Sequence, residues 1–269
     1  MLQQAMDFHD ESEALYRLLE PLSDEDLARP TQFKGWTIDD ILGHLHMWNW
    51  AADLSLRDGE AFLSWIGTVL EDVANGGLRL YENRWLGGRR GRALVNEWRD
   101  FYHSMSGQFA AADPKLRVKW AGPDMSVRSS ITARLMETWA HGQAAYDLLG
   151  VERRDTDRIR NIVQLGINTY GWTFKNRGAA PPGDAPHVKL SAPSGDIWEW
   201  NAANSADLVQ GSATEFCQVV TQTRNIADTS LHVSGDAARQ WMAIAQCFAG
   251  PPEQPPAPGT RHPVRQASA

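Results

Sequence analysis

The sequence predicts an α+β protein, with a four-helix bundle over residues 1–152 followed by a small mixed α/β domain over residues 153–249. Two observations support this organisation. Apolar residues recur at helical spacing through the first half, whereas strand-like alternation begins only after the Pro/Gly-rich stretch at 179–186. Residues 250–269 are rich in proline and lack apolar spacing, which predicts a disordered tail.

The helices of the first half are marked by apolar spacing and by start or stop signals. Residues from about 3 to 19 carry apolar side chains at helical spacing and end before Pro21. Thr37 is a predicted N-cap, because acidic residues follow it in the first turn, where the helix dipole favours them. Residues 90–112 repeat the helical spacing, and a run over 126–149 ends at a glycine. Four such helices joined by loops predict an antiparallel bundle.

The second half combines helices with short strands. One helix is predicted over residues 155–175. Residues 187–200 alternate as strands do on either side of a Pro-Ser-Gly turn, a pattern typical of a hairpin. Two further helices are predicted, at 213–221 and 237–248. This half is therefore expected to be mixed α and β.

Composition excludes several classes of function. A net charge of −7, from 26 basic and 33 acidic residues, argues against binding to nucleic-acid backbones. Cys217 and Cys247 are too few for a disulfide framework or a Cys-based zinc site. No apolar run reaches the roughly 18–20 residues that a membrane span needs. The N-terminus lacks the pattern of a signal peptide, so the expected location is the cytoplasm. From charge and apolar runs together, neither nucleic acid nor membrane is an expected partner. Nothing in the sequence indicates the oligomeric state.

A carboxylate and an imidazole share one face of the predicted helix at 126–149. Glu137 and His141 are four residues apart, which places them one turn apart on the same side. That helix is apolar or small on nearly every side, which predicts that it is buried. A buried charge needs a partner, and a divalent metal would be one. The alternative interpretation is an ion pair at the surface, for which the same spacing is typical.

Two histidines in the helix after Thr37 are candidates for a third ligand. His44 and His46 are two residues apart, about 200° around a helix, so they cannot both face one ion. Apolar residues flank His44, whereas polar residues flank His46. The pattern therefore favours His44 as the inward residue and places His46 at the edge of the bundle.

Two motifs resemble a known family. Residues 35–45 read Gly-Trp-Thr followed by an acid and then by His-Leu, and residues 137–141 read Glu-Thr-Trp-Ala-His. Together they resemble the DinB-like metal-binding superfamily, and more narrowly its mycothiol-dependent maleylpyruvate isomerase branch. The resemblance implies a DinB-like four-helix bundle whose metal ligands are His44, Glu137 and His141.

The same resemblance extends to the second half. The stretch 205–213, continued by 217–221, is similar to that branch's C-terminal domain, a small α/β module like sterol carrier proteins. The family has an arginine there that orients an anionic substrate, and Arg224 is the matching candidate for a catalytic residue, although it stands one position late. Gln143 and Ala144 also replace an acid that is often present after the second histidine. The chain is therefore closer to a less characterised relative than to the isomerase itself.

The function expected from these residues is that of a metal-dependent enzyme. Three protein ligands leave an open position, as catalytic metal sites do. The resemblance implies a thiol-assisted isomerase or transferase that acts on a small unsaturated acid or thioester, with a low-molecular-weight thiol such as mycothiol or glutathione. Zinc is the first expectation for the ion, and iron or nickel are the alternatives.

The competing expectation is a non-catalytic carrier for an apolar ligand, with a metal kept for structure. The sequence holds 12 tryptophans, which could line an apolar cavity. Most are predicted to be structural: Trp139 points away from Glu137 and His141, and Trp36 belongs to the motif that opens its helix. Trp48, one turn from His44, is the only one expected near the site.

Overall fold

The computed structural model describes residues 1–203 and 206–264, and the chain divides into two compact units, Met1–Ala145 and Tyr146–Ala269. The boundary between the units falls inside the helix that carries Glu137 and His141. The predicted boundary at residue 152 lies slightly later, in the loop that follows this helix. Within the described ranges, no helix is both long enough and apolar enough to cross a bilayer.

The described residues of the first unit form helices and one two-stranded ribbon. The helices are α1 (Gln3–Leu19), α2 (Asp24–Leu27), α3 (Ile38–Arg57), α4 (Gly59–Gly76), α5 (Leu78–Leu86), α6 (Gly91–Ala111) and α7 (Val127–Leu149). The ribbon pairs β1 (Arg117–Val118) with β2 (Met125–Ser126) in antiparallel fashion. Helix α6 packs against both α1 and α3, while α4 and α5 pack against each other and against α3. The four predicted helices correspond to α1, α3, α6 and α7, so the predicted helical first half is confirmed.

The start of α3 follows from local chemistry. The Thr37 hydroxyl accepts a hydrogen bond from the Asp40 amide at 3.1 Å, and the Asp40 carboxylate accepts one from the Thr37 amide at the same distance. This reciprocal capping box satisfies two of the amides that have no partner within the helix. Thr37 is therefore the N-cap, as predicted, and the box fixes where the helix bearing His44 begins.

Two aromatic groups fill the first unit. Trp98, Trp139 and Tyr102 are among its largest fully buried side chains, which confirms Trp139 as a packing residue. A second group surrounds Phe62 of α4, whose ring stacks on Trp120 at 5.5 Å between centroids. Around it pack further partly buried aromatic side chains, namely Trp48, Trp50, Trp65 and Tyr81. Helices α4 and α5 have no counterpart among the elements predicted from the sequence.

The second unit is a small sheet flanked by helices. Its strands are β3 (His187–Ser191), β4 (Ile197–Trp200), β5 (Leu208–Ser212) and β6 (His232–Ser234), and its helices are α8 (Arg160–Asn168), α9 (Tyr170–Lys175), α10 (Ala213–Val220) and α11 (Asp236–Ile244). The strand order is β4-β3-β5-β6, with β3 antiparallel to β4 and parallel to β5. The predicted hairpin is therefore confirmed. Ser205, the first residue of the stretch that resembles the family's second domain, lies outside the described residues.

The helix predicted over 155–175 is divided in the structure. Residues Asp157–Ile159 form a 3₁₀ turn, and α8 and α9 are separated at Thr169. The Thr169 hydroxyl donates to the carbonyls of Leu165 and Gly166, at 2.9 and 3.0 Å. A threonine hydroxyl that bonds back in this way competes with the regular helical pattern, and the chain turns there.

The proline-rich segment after residue 250 differs from the predicted disorder as far as it is described. Residues 250–264 form no helix or strand, but Arg177 and Asn225 donate hydrogen bonds to its backbone carbonyls. Its own Arg261 donates to a backbone carbonyl of the second unit at 2.7 Å. Side chains thus supply the hydrogen bonds that a proline-rich backbone cannot form with itself.

Candidate metal centre

Two helices bring three candidate ligands together. His44 projects from α3, and Glu137 and His141 project from one face of α7. The Glu137 carboxylate lies 3.1 Å from His141 Nε2 and 3.7 Å from His44 Nε2. One ligand atom from each residue lies within 4.8 Å of the others. Neighbouring donors on a tetrahedral zinc ion are separated by about 3.3 Å, so the residues present fit a small divalent ion.

A buried carboxylate orients His44. Glu82 of α5 has no exposed surface, and its Oε1 lies 2.6 Å from His44 Nδ1. A carboxylate accepts, so Nδ1 carries the proton in this pair and Nε2 is directed towards Glu137. Metal-binding histidines are commonly held by a carboxylate on the second ring nitrogen. The structure thus adds Glu82 to the centre.

An arginine and two aromatic rings surround the cluster. Arg79 pairs with Glu82 at 2.7 Å and with the Asp40 carboxylate, and its guanidinium lies 4.5 Å from the centre of the Trp36 ring. The Trp36 ring is parallel to that of His141 at 5.9 Å. Phe33 meets the same imidazole edge-on at 5.0 Å. Trp36 therefore packs on a candidate ligand, in addition to its place at the start of α3.

The protonation states of the cluster follow from burial and charge. Burial alone lowers the pKa of His44, but the Glu82 and Glu137 carboxylates outweigh it and raise that pKa above its ordinary value of 6.5. Burial alone raises the pKa of Glu137, but hydrogen bonds from His141 and His44 hold it well below its usual range. Burial lowers the pKa of His141, and the charge of His44 adds to that effect. Without an ion, these shifts favour the protonated form of His44, the anionic form of Glu137 and the neutral form of His141.

The two histidines of α3 lie in different places. His44 lies in the cluster, whereas His46 is directed elsewhere, with its Nε2 3.4 Å from Glu97. The His46 ring is packed between Trp85 and Phe101 at about 5.5 Å from each. His46 is only 2% exposed, so its predicted position at the edge of the bundle is wrong. The polar flank that suggested an edge position is itself buried, because Asn49 and Asp53 are packed inside the unit.

Arg224 already has a carboxylate partner within its own unit. Its Nη1 and Nη2 donate to the two oxygens of Asp147 at 2.8 and 2.6 Å, and Nη1 also donates to the Thr223 carbonyl. Both side chains are buried. This bidentate pair occupies the guanidinium edge that a substrate carboxylate would use. The predicted substrate-orienting role of Arg224 remains a prediction, with Asp147 as a competitor in the second unit.

Both cysteines, Cys217 and Cys247, are buried. Burial raises the pKa of the Cys217 thiol well above its usual range, which keeps this residue in the unreactive thiol form. Cys217 and Cys247 are 0% and 7% exposed, which is typical of small packing residues.

Sequence comparison places the first unit in a family. Residues 8–146 match the sequence model of the mycothiol maleylpyruvate isomerase N-terminal domain. Two uncharacterized proteins, from two strains of Mycobacterium tuberculosis, are each 36% identical over 246 residues, which cover 91% of this chain and 95% of theirs.

Solved structures show the same fold. The crystal structure of the mycothiol-dependent maleylpyruvate isomerase matches with a TM-score of 0.51 at 14% identity, over 81% of this chain and 87% of that one. A mutant of that enzyme matches equally well at 15% identity. At this identity the likeness is one of fold. Together with the match over residues 8–146, it shows that the chain belongs to the family of the mycothiol maleylpyruvate isomerase N-terminal domain, as its two histidine motifs predicted.

Proposed function

We propose that this protein is a divalent-metal-dependent enzyme of the isomerase or transferase type. In this proposal a low-molecular-weight thiol assists the reaction of a small unsaturated acid or thioester. The observation that carries the proposal is the convergence of His44, Glu137 and His141 on one point. Three protein ligands leave a coordination position open, which is the arrangement of catalytic sites. Membership of an isomerase family supports the same reaction class.

The donor set limits the choice of metal. Two imidazoles and one carboxylate suit catalytic zinc, which we propose as the resident ion. The same donors also describe the facial triad of non-haem iron, and imidazole ligands suit nickel as well. When bound, the ion would lower the pKa of a coordinated thiol or water.

The residues around the cluster have separate roles in this proposal. Glu82 holds the His44 ring and keeps its proton on Nδ1, so that Nε2 is free to act as a ligand. Arg79 pairs with Glu82, and His44 and Arg79 together lower the pKa of that carboxyl despite its burial. Trp36 and Phe33 cover the His141 ring and exclude water from that side. The thiol comes from solution, and we propose mycothiol, since the related isomerase depends on it, with glutathione as the alternative.

Two measurements test the proposal. Elemental analysis of protein purified without added metal should find close to one divalent ion per chain. His44→Ala should lower that content strongly, whereas His9→Ala, a matched change on α1, should not. Unchanged metal content in His44→Ala would show that the ligand assignment is wrong.

Activity distinguishes the enzyme from a carrier. Mycothiol, glutathione and no thiol are each combined with unsaturated diacids and acyl thioesters, with and without a chelator. We expect turnover that needs both the thiol and the metal. A carrier would instead bind an apolar ligand, seen as quenching of tryptophan fluorescence, in protein from which a chelator has removed the metal. It would turn over no compound in the panel.

A further inference from the structure

A buried arginine, Arg134, lies on α7 three residues before the candidate ligand Glu137. Arg134 of α7 is 3% exposed, and its Nε donates to Asn49 Oδ1 on α3 at 2.9 Å. Among residues 1–203 and 206–264, no carboxylate forms an ion pair with it, and its Nη2 has no acceptor. Elsewhere in the first unit, partly buried arginines such as Arg79 and Arg89 do pair with carboxylates. Arg134 is therefore a buried cation that forms no direct ion pair within the described residues, although the charge of Glu137 acts on it.

Its neighbour Asn49 has the same deficit. Asn49 is fully buried; its amide oxygen accepts a hydrogen bond from Arg134, and no described residue accepts one from its Nδ2. Two side chains in direct contact thus each present an N–H donor without an acceptor. Leaving a buried donor unsatisfied is costly, and an unpaired buried charge costs more. Burial lowers the pKa of Arg134 to about 10, so the guanidinium stays charged at neutral pH.

The position of Arg134 connects it to the cluster. It lies one turn before Glu137 and two turns before His141, so α7 presents all three on one side. The charge of Arg134 is one of the influences that lower the pKa of Glu137. A dication held by Glu137 would neutralise the nearest negative charge. Arg134 and the ion would then both attract anions.

We propose that Arg134 and Asn49 bind the carboxylate of an anionic substrate beside the metal centre. This inference rests on the proposed function, and it assigns to the first unit a role that the family resemblance implied for Arg224. The planar guanidinium matches the two oxygens of a carboxylate, and the Asn49 amide offers a further donor. Arg134 is the better candidate for this role because Asp147 already occupies the guanidinium of Arg224.

Binding of maleate to the zinc-loaded protein tests the inference. Isothermal titration calorimetry compares maleate with its uncharged diamide, maleamide. Arg134→Gln should weaken maleate binding roughly 10- to 100-fold, which corresponds to the loss of a hydrogen-bonded charge, and should leave the zinc content unchanged. Arg128→Gln, an exposed arginine on the same helix, should bind maleate as the unmodified protein does. Equal maleate affinity in Arg134→Gln would overturn the proposal.

A second variant tests it independently of any loss of packing. Asn49→Asp keeps the size of the side chain and places a carboxylate against Arg134. If Arg134 requires an anion, this variant should melt at a higher temperature than the unmodified protein and should lose maleate binding. If Arg134 requires none, the new buried carboxylate should lower the melting temperature, which would refute the inference even where Arg134→Gln fails to fold.

The two proposals fail in different ways. Protein that takes up no metal, yet still binds maleate through Arg134, would contradict the proposed function and support the anion site. Protein that takes up zinc and binds maleate equally well with Arg134→Gln would leave the metal centre intact and remove the anion site.

Discussion

Replacing Glu82 with glutamine isolates the contribution of one buried charge to metal binding. Among the three candidate metal ligands, Glu82 contacts His44, and the 2.6 Å hydrogen bond from His44 Nδ1 to Glu82 Oε1 fixes the imidazole ring. Glutamine has the same size and keeps an acceptor oxygen, so the geometry can persist while the charge is lost. Removing such a carboxylate partner typically weakens metal binding 10- to 100-fold. Because the acceptor remains, we expect the lower end, a roughly 10-fold rise in the Kd for zinc, or about 1.4 kcal/mol.

Competition between the protein and a chromophoric zinc chelator at fixed pH measures this change directly. Glu97→Gln is the matched control, because Glu97 also contacts a histidine of α3, His46, that lies outside the cluster. Its zinc affinity should equal that of the unmodified protein. A Glu82→Gln variant with unchanged zinc affinity and an unchanged melting temperature would refute the role assigned to Glu82.

Three further predictions concern stability. The raised pKa of His44 stabilises the metal-free fold fully below the ordinary pKa of 6.5, and this stabilisation is lost as the pH rises through the raised folded pKa. The melting temperature of metal-depleted protein should therefore fall as the pH rises above 6.5. His44→Gln should make that fall smaller. Arg224→Met breaks a buried ion pair and should lower the free energy of unfolding in urea by about 3–5 kcal/mol. Arg239→Met, at an exposed ion pair, should leave it almost unchanged. Equal losses in the two variants would contradict the burial of the Arg224 pair. Gly235→Ala should destabilise the protein by about 1–3 kcal/mol, because Gly235 has a φ of +85° and an added Cβ would collide with a backbone carbonyl. Gly67→Ala, in an open helical position, should instead stabilise it. A calorimetric scan in which Gly235→Ala melts no lower than Gly67→Ala would refute this prediction.

Features set by nearby residues could be predicted from the sequence. The capping box at Thr37 depends on residues three positions apart, and the shared face of Glu137 and His141 depends only on helix geometry. The structure places His44, and not His46, beside Glu137 and His141, but both histidines are buried, so the apolar flank alone does not explain the difference and the ligand assignment stays a prediction.

Features set by distant residues could not be predicted. Glu82 reaches His44 because α4 and α5 fold back against α3, and no sequence pattern predicts an element over that segment. The ion pair between Arg224 and Asp147 joins residues far apart in the chain, so no local sequence pattern predicts it. Arg134 did leave a signal, since an arginine in a helix that is otherwise small or apolar requires a partner.

The origin of the ligands also bears on when an ion can act during folding. His44 comes from the first third of the first unit's sequence, Glu137 and His141 come from its end, and Glu82 lies between them. Closing these long loops costs conformational entropy before the donors converge, so we expect an ion to bind late in folding rather than to nucleate the bundle. It would act after assembly, by slowing the separation of α3 from α7. Bound metal would then prolong the lifetime of the folded chain without accelerating its formation.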